Sequence, residues 1–406
     1  MSIETAQRET LTPDAAAAEN SRSPFVRLTD LIAGIAPGKP VINLSVGEPQ
    51  HAIPDFVGPV LAQHVAEFGK YPANKGTDPF RLAVAQWLGR RYTLDKPVDP
   101  EREVLVLNGT REGLFLAAIA ARRYVKDRAG TPAMLIPNPF YAAYAAGATA
   151  ADCEPVYLPC RRENGFLPDL DALDPALLKR TVAFYFASPA NPQGAVANRA
   201  YLDRLVALSR RYGFIIFADE CYCEIYTKDK PAGMLEAAGA GFANTIVFHS
   251  LSKRSNLPGL RMGFVAGDKD FLASFLELRN VAAPQVPIPL QHVAVAAYND
   301  EAHVEKNREL YNAKFDLADQ IIGDRYGYSR PAGGFFLWLD VSKHGGSEVV
   351  TRRLWAEAGV RVVPGKYLAR EQADGSNPGA DYVRVAMVQN AEATAEALHR
   401  IVDVLG

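Results

Sequence analysis

A lysine lies between a serine and an arginine in His249-Ser250-Leu251-Ser252-Lys253-Arg254-Ser255-Asn256-Leu257-Pro258-Gly259-Leu260-Arg261. A primary amine can attack an unhindered carbonyl to form a Schiff base. The Ser250 hydroxyl and the Arg261 guanidinium can hold a phosphate on the same carbonyl compound and so fix its distance from the amine. A lone lysine says little, but these flanks make Lys253 a candidate nucleophile and proton carrier.

Other residues add the groups such a ligand needs. Asp219 closes the apolar run Phe214-Ile215-Ile216-Phe217-Ala218. A buried strand of that kind delivers its last residue to the carboxyl edge of an open α/β sheet, where ligands bind. A carboxylate there suits a protonated pyridine nitrogen, and with Lys253 it points to pyridoxal 5'-phosphate as cofactor. The other reading of Asp219 is a cap on a turn or helix.

Asn108-Gly109-Thr110-Arg111 follows Val104-Leu105-Val106-Leu107 and opens an apolar helix, so the amides of Gly109, Thr110 and Arg111 are expected to receive the phosphate. Asn191 and Tyr222 are candidates to hydrogen-bond the phenolic oxygen. Tyr141 is a candidate to stack on the ring, or else a core aromatic. Arg384 stands among apolar neighbours, an expensive place for a permanent charge unless a carboxylate meets it. It is expected to clamp a substrate α-carboxylate, with a structural ion pair as the alternative, and Gly47 would let the backbone approach the same group.

Val182-Ala183-Phe184-Tyr185-Phe186, a Pro/Asn/Gly loop, an amphipathic stretch from Tyr201 to Tyr212, Gly213 and the run from Phe214 form a βαβ unit. The same alternation over residues 51–290 predicts a large α/β domain that binds the cofactor, with a mostly parallel central sheet and helices on both faces. Residues 23–50 and 291–406 are expected to form a smaller α+β domain, its sheet built from Phe335–Leu339, Val360–Val363 and Tyr382–Val388. Residues 1–22 read as a tail.

The chain has 406 residues, 48% hydrophobic and 22% charged, which places it among globular proteins rather than disordered or membrane ones. A net charge of -2 gives no electrostatic reason for nucleic acid or an anionic membrane, so small molecules are the expected partners. The start lacks a signal-peptide pattern and no apolar run is long enough to span a bilayer, so a cytoplasmic location is expected. Four cysteines make no disulfide framework, and Cys221 with Cys223 is a C-x-C rather than a zinc knuckle, so no metal is expected. The P-loop pattern fails, because Gly359 to Gly365-Lys366 is one residue too long and Tyr367 replaces the hydroxyl residue. Ser250-Leu251-Ser252-Lys253 also matches the S-x-x-K of serine acyl-transfer enzymes, but S-D-N and K-T-G do not occur.

Gly47, Tyr71, Asn108 to Arg111, Tyr141, Asn191, Asp219, Tyr222, Ser250, Lys253, Arg261 and Arg384 occur in an order that resembles the class I/II aminotransferases, the fold-type I pyridoxal phosphate enzymes, from about Ser23 onward. The resemblance implies transamination, with Lys253, Asp219 and Tyr222 as catalytic residues. It also implies a homodimer in which Tyr71 reaches the phosphate of the neighbouring subunit. Phe140-Tyr141-Ala142-Ala143 departs from the pattern by lacking a proline that many relatives carry there.

Gly47-Glu48-Pro49-Gln50-His51, Ser252 to Arg261, and Val363 to Arg370 with Asn377-Pro378-Gly379 are similar to the succinyldiaminopimelate aminotransferases. That similarity implies a place in lysine and diaminopimelate synthesis. Glutamate would donate its amino group to N-succinyl-2-amino-6-oxopimelate, giving N-succinyl-LL-2,6-diaminopimelate and 2-oxoglutarate. Aspartate, alanine or LL-diaminopimelate specificity is the alternative, and a catalytically silent regulator a further one, although no DNA-binding segment precedes residue 23. Lys75 and Arg254, basic and close to these motifs, are candidates for the distal succinyl carboxylate.

Overall fold

The computed structural model describes residues 22–406. Apart from Arg22, the expected tail lies outside the described residues. The large sheet has seven strands: β1 (Val104–Leu107), β2 (Ala133–Asn138), β3 (Glu154–Pro159), β4 (Thr181–Ala187), β5 (Ile215–Asp219), β6 (Thr245–Ser250) and β7 (Gly263–Gly267). Their spatial order is β1-β7-β6-β5-β4-β2-β3. From β6 to β3 every neighbour is parallel, while β7 runs antiparallel to both β6 and β1. The central strands are continuous apolar runs because helices cover both faces of the sheet.

Alternate residues feed the two faces. Phe184 and Phe186 pack on one side with Leu202, Leu205 and Val206, whereas Tyr185 and Phe217 pack on the other with Leu114, Ala117 and Phe271. Helix Arg199–Tyr212, the crossover between β4 and β5, is capped by Asn198, whose side chain accepts from Tyr201 N, and ends at Gly213 in the left-handed region (φ 72°). Each of its buried Leu or Val side chains contributes roughly 1.5–3 kcal/mol. Crossovers of this kind bring the carboxyl ends of β4, β5 and β6 to one edge, where Ala187 pairs with Asp219 and Asp219 with Phe248.

The smaller unit pairs β8 (Phe336–Asp340), β9 (Val363–Pro364) and β10 (Tyr382–Ala386) in the order β9-β10-β8, all antiparallel. Its core joins Leu337, Leu339, Val383 and Val385 to Tyr311, Phe315, Leu398 and Ile401 from the covering helices. Residue 290 falls inside helix Ile288–Asn299, and Val293, Ala294, Ala297 and Tyr298 of that helix pack in the core of the large sheet with Phe80, Trp87 and Phe264. The chain therefore changes core after Asn299.

Gly267 closes β7 at φ 137°, and a Cβ there would lie 2.1 Å from the Thr245 carbonyl oxygen on the neighbouring strand. Gly267→Ala is expected to destabilise the protein by roughly 3 kcal/mol, read as a lower urea midpoint at unchanged slope.

Candidate active site

Asp219 and Ser250 stand at the carboxyl ends of adjacent strands, and Lys253 lies in the four-residue helix Leu251–Arg254 that follows β6. Ser250 caps that helix, its Oγ accepting from Ser252 N at 3.1 Å. After the 3-10 turn Pro258–Leu260 the backbone enters the left-handed region at Arg261 (φ 55°), whose Nη1 donates to the Pro258 carbonyl at 2.8 Å. The same guanidinium lies against Gly109, the N-cap of helix Thr110–Tyr124. Gly109 has φ 74°, which favours glycine, and a Cβ there would come 2.2 Å from Arg261 Nη2 and push the guanidinium aside. Helix-start amides, a guanidinium and a serine hydroxyl thus form a cradle suited to a phosphate. The Arg111 side chain leaves the cradle and donates from Nε to the Tyr141 hydroxyl at 2.6 Å.

Asp219 is 9% exposed. Its Oδ2 accepts from the Tyr144 hydroxyl at 2.6 Å and its Oδ1 from Cys221 N at 3.2 Å. Tyr144 was not among the residues expected from the motifs. It sits three positions after Tyr141 in the alanine-rich helix Ala142–Ala150, with the two rings edge to face at 5.7 Å. A buried tyrosine among small residues needs an acceptor for its hydroxyl, and that was the signal available in the sequence. A hydrogen bond to a charged acceptor contributes about 1.5–3 kcal/mol, so Tyr144→Phe is expected to weaken cofactor retention and lower kcat/KM roughly tenfold. The assay is activity after dialysis without added cofactor.

The Lys253 ammonium donates to the Gly47 carbonyl and lies 5.3 Å from the Phe335 ring centroid. Burial is the main force that lowers its pKa from 10.5 to about 8, and the positive charges of Arg384 and Arg261 act in the same direction. Arg384, on β10, is 4% exposed. Its Nη1 donates to Asn191 Oδ1 at 3.0 Å and its Nη2 to the Ser45 carbonyl at 2.7 Å, and the guanidinium lies 4.4 Å from the Phe336 ring centroid. Its buried Nε has no acceptor. No carboxylate among the described residues lies within 4.0 Å of it, so the structural ion pair is not formed there. Burial lowers the Arg384 pKa to about 10.

Tyr222 packs edge to face against Phe335 and Phe336 at 5.3 and 5.8 Å, and burial pushes its hydroxyl pKa well up. Accepting from Arg384 turns Asn191 so that its amide nitrogen is the donor it can offer. Thr110 Oγ1 meets Cys221 Sγ at 3.2 Å, tying the cradle to the loop after Asp219.

Gly47 is confined by the neighbouring rings. A Cβ there would lie 2.7 Å from Phe336 Cζ, so ring packing excludes a side chain, while its carbonyl faces the lysine. Tyr71 is 96% exposed, so none of the described residues covers it.

Both candidates for the distal carboxylate are engaged elsewhere. Lys75 pairs with Glu101. Arg254 is buried, bonded to the Ala297 carbonyl at 2.7 Å and to Glu301 at 2.6 Å, with Trp87 and Tyr298 flanking it. The S-x-x-K reading also lacks its geometry. Ser250 Oγ bonds Ser252 and the Met262 carbonyl, whereas the lysine turns to Gly47, so no base addresses the hydroxyl.

Among the described residues, no helix is long and apolar enough to cross a membrane. Residues 39–401 match the family described as Aminotransferase class I and II. An LL-diaminopimelate aminotransferase of Syntrophobacter fumaroxidans is 31% identical over 90% of this chain and 92% of its own. The crystal structure of an aminotransferase from Neisseria meningitidis superposes with a TM-score of 0.89 at 37% identity, over 95% of this chain and 98% of that one. A probable N-succinyldiaminopimelate aminotransferase from Thermus thermophilus shares the fold, with a TM-score of 0.83 at 24% identity over 94% of this chain and all of the other.

Proposed function

The chain belongs to the class I and II aminotransferases, which work with pyridoxal 5'-phosphate, and on that premise we propose that it transaminates an amino acid of the diaminopimelate branch. The residues fit the cofactor: a glycine helix start at Gly109 against the Arg261 guanidinium, a buried carboxylate at Asp219, and a lysine whose pKa burial lowers to about 8. Gly109, Thr110, Arg111, Ser250 and Arg261 would hold the phosphate, with Tyr71 of a second copy completing it in a homodimer. Asp219, fixed by Tyr144, would hold the ring nitrogen, Asn191 and Tyr222 the phenolic oxygen, and Tyr141 one face. When bound, pyridoxal 5'-phosphate supplies an aldehyde that takes up an amino group and a ring that accepts the electron pair left when a Cα-H bond breaks.

The chain's own residues do the rest. With a pKa of about 8, a substantial fraction of Lys253 is neutral near pH 7.5, whereas an ordinary lysine is neutral only to about one part in 10³. Its Nζ can therefore take the Cα proton and return it on the other side of the reaction. Arg384 carries the proposal, since its buried guanidinium is hydrogen-bonded to Asn191 and the Ser45 carbonyl but pairs with no carboxylate among the described residues, and it is suited to select one. By fixing the α-carboxylate it decides which Cα bond faces the lysine.

Our leading substrate pair is glutamate with N-succinyl-2-amino-6-oxopimelate, supported by the segments around Gly47, Lys253 and Val363. LL-diaminopimelate with 2-oxoglutarate is the second reading, favoured by the name of the Syntrophobacter relative. Purified wild type should carry a visible imine absorbance that is lost in Lys253→Ala, and a colourless wild type that takes up no cofactor would end the proposal. Initial rates with the two pairs, set against glutamate with pyruvate or oxaloacetate, separate the specificities. Equal rates throughout would remove the diaminopimelate assignment.

A further inference from the structure

Away from this site, His64 ends helix Val57–His64, Glu67 lies in the following 3-10 turn Val65–Gly69, and His292 lies in helix Ile288–Asn299. His64 Nδ1 is 2.8 Å from Glu67 Oε1, and His292 Nε2 is 3.4 Å from the same oxygen. The imidazoles stack with centroids 3.6 Å apart at 10°, and the three potential ligand atoms lie within 4.8 Å of one another. All three side chains are about a quarter exposed (23, 29 and 25%), so a hydrated ion can reach them. Nothing in the transamination chemistry uses them.

We propose that His64, Glu67 and His292 form a binding site for a divalent transition cation of the zinc class. Two imidazole nitrogens and one carboxylate are a ligand set that zinc accepts, with water in the fourth position, whereas magnesium and calcium prefer oxygen donors. Tetrahedral zinc with bonds of 2.0–2.1 Å places its ligand atoms about 3.3 Å apart. The His292 contact already has that spacing. The shorter His64 contact is a hydrogen bond; exchanging its proton for an ion needs an opening of about half an ångström and a rotation of one imidazole out of the parallel stack, so that both in-plane lone pairs converge on one point.

The ion would tie two helices that are distant in sequence and fix the turn that ends two residues before Tyr71. Neither ligand spacing nor motif could reveal it, because His64 and Glu67 are separated from His292 by more than two hundred residues.

The test is calorimetric titration of zinc chloride into the full-length, cofactor-loaded protein after chelator treatment. One ion per chain is expected with a micromolar or tighter Kd and a rise of a few degrees in Tm. His64→Ala, His292→Ala and Glu67→Gln should each weaken binding by at least about tenfold. Cofactor absorbance reports that each variant is folded, and Glu67→Gln, which keeps the side-chain shape, serves if a histidine variant is not. Cobalt should give tetrahedral visible bands in wild type and not in the double histidine variant. No saturable binding at 100-fold excess zinc over protein, or equal binding in wild type and in the variants, would overturn the site.

Discussion

Lys253→Met is expected to lower transamination by at least about 10⁴-fold and, at the same time, to stabilise the cofactor-free protein at neutral pH. The first effect follows from removing the group that accepts and returns the Cα proton. The second follows from linkage. Burial lowers the lysine from 10.5 to about 8, so below pH 8 the folded chain holds a charge it would rather lose, while the unfolded chain bears that charge in water. Between pH 8 and 10.5 the unfolded state binds more protons, and native stability rises with pH across that window. Above 10.5 the penalty is gone. The shift corresponds to about 3 kcal/mol at most, less the hydrogen bond to Gly47.

Urea melts of cofactor-free wild type and Lys253→Met should therefore show a gap in favour of the variant at pH 7 that closes towards pH 10.5. A gap of the opposite sign, or one independent of pH, would mean that the lysine is not held in this way. The same shift predicts that wild-type apoprotein captures cofactor faster as pH rises, levelling off above about 8.

Lys253 and Asp219 were legible because each follows an apolar run that could only be a buried strand, and a parallel sheet gathers such strand ends on one edge. Gly109 and Arg384 were legible for a related reason, one as a glycine at a strand-to-helix turn and the other as a charge where charges are expensive. What the sequence hid was the competition among side chains. Lys75 and Arg254 look alike as free cations near a motif, but Glu101 and Glu301, respectively 26 and 47 residues away, claim them. Tyr144 looked like one more aromatic until the helix turned its hydroxyl towards Asp219. The register of helix Ile288–Asn299 reads the same whichever core it joins, so the end of the large unit could not be placed from periodicity. The antiparallel β7 belongs with these cases. The link before it holds only a four-residue helix and a 3-10 turn, too little to lay a helix across the sheet, and the chain turns back instead.

Arg384→Leu is the second change expected to have a large effect, and it distinguishes recognition of substrate from general damage to the site. Removing one partner of a desolvated, bidentate charge pair costs about 3–4 kcal/mol, so kcat/KM for every α-amino acid should fall by about 10²- to 10³-fold. Arg384→Lys should not restore it, because an ammonium cannot present two parallel donors to a carboxylate. A primary amine with the same side chain but no carboxylate should react equally slowly with wild type and variant. A loss of the same size for that amine would show that the guanidinium holds up the site rather than the substrate.

The variant also has a signature in the absence of substrate. Arg384 is one of the charges that depress Lys253, so its removal should raise the lysine's pKa and move the plateau of cofactor capture above pH 8. Leucine in place of this guanidinium relieves a buried charge but takes the donors from Asn191 Oδ1 and the Ser45 carbonyl, so the stability of the cofactor-free protein should change by no more than about 1–3 kcal/mol. Lower activity, a higher plateau and a folded, cofactor-binding protein would tie Arg384 to the substrate carboxylate and to the lysine together, as two neighbouring cations of which only one can be relieved by ligand charge.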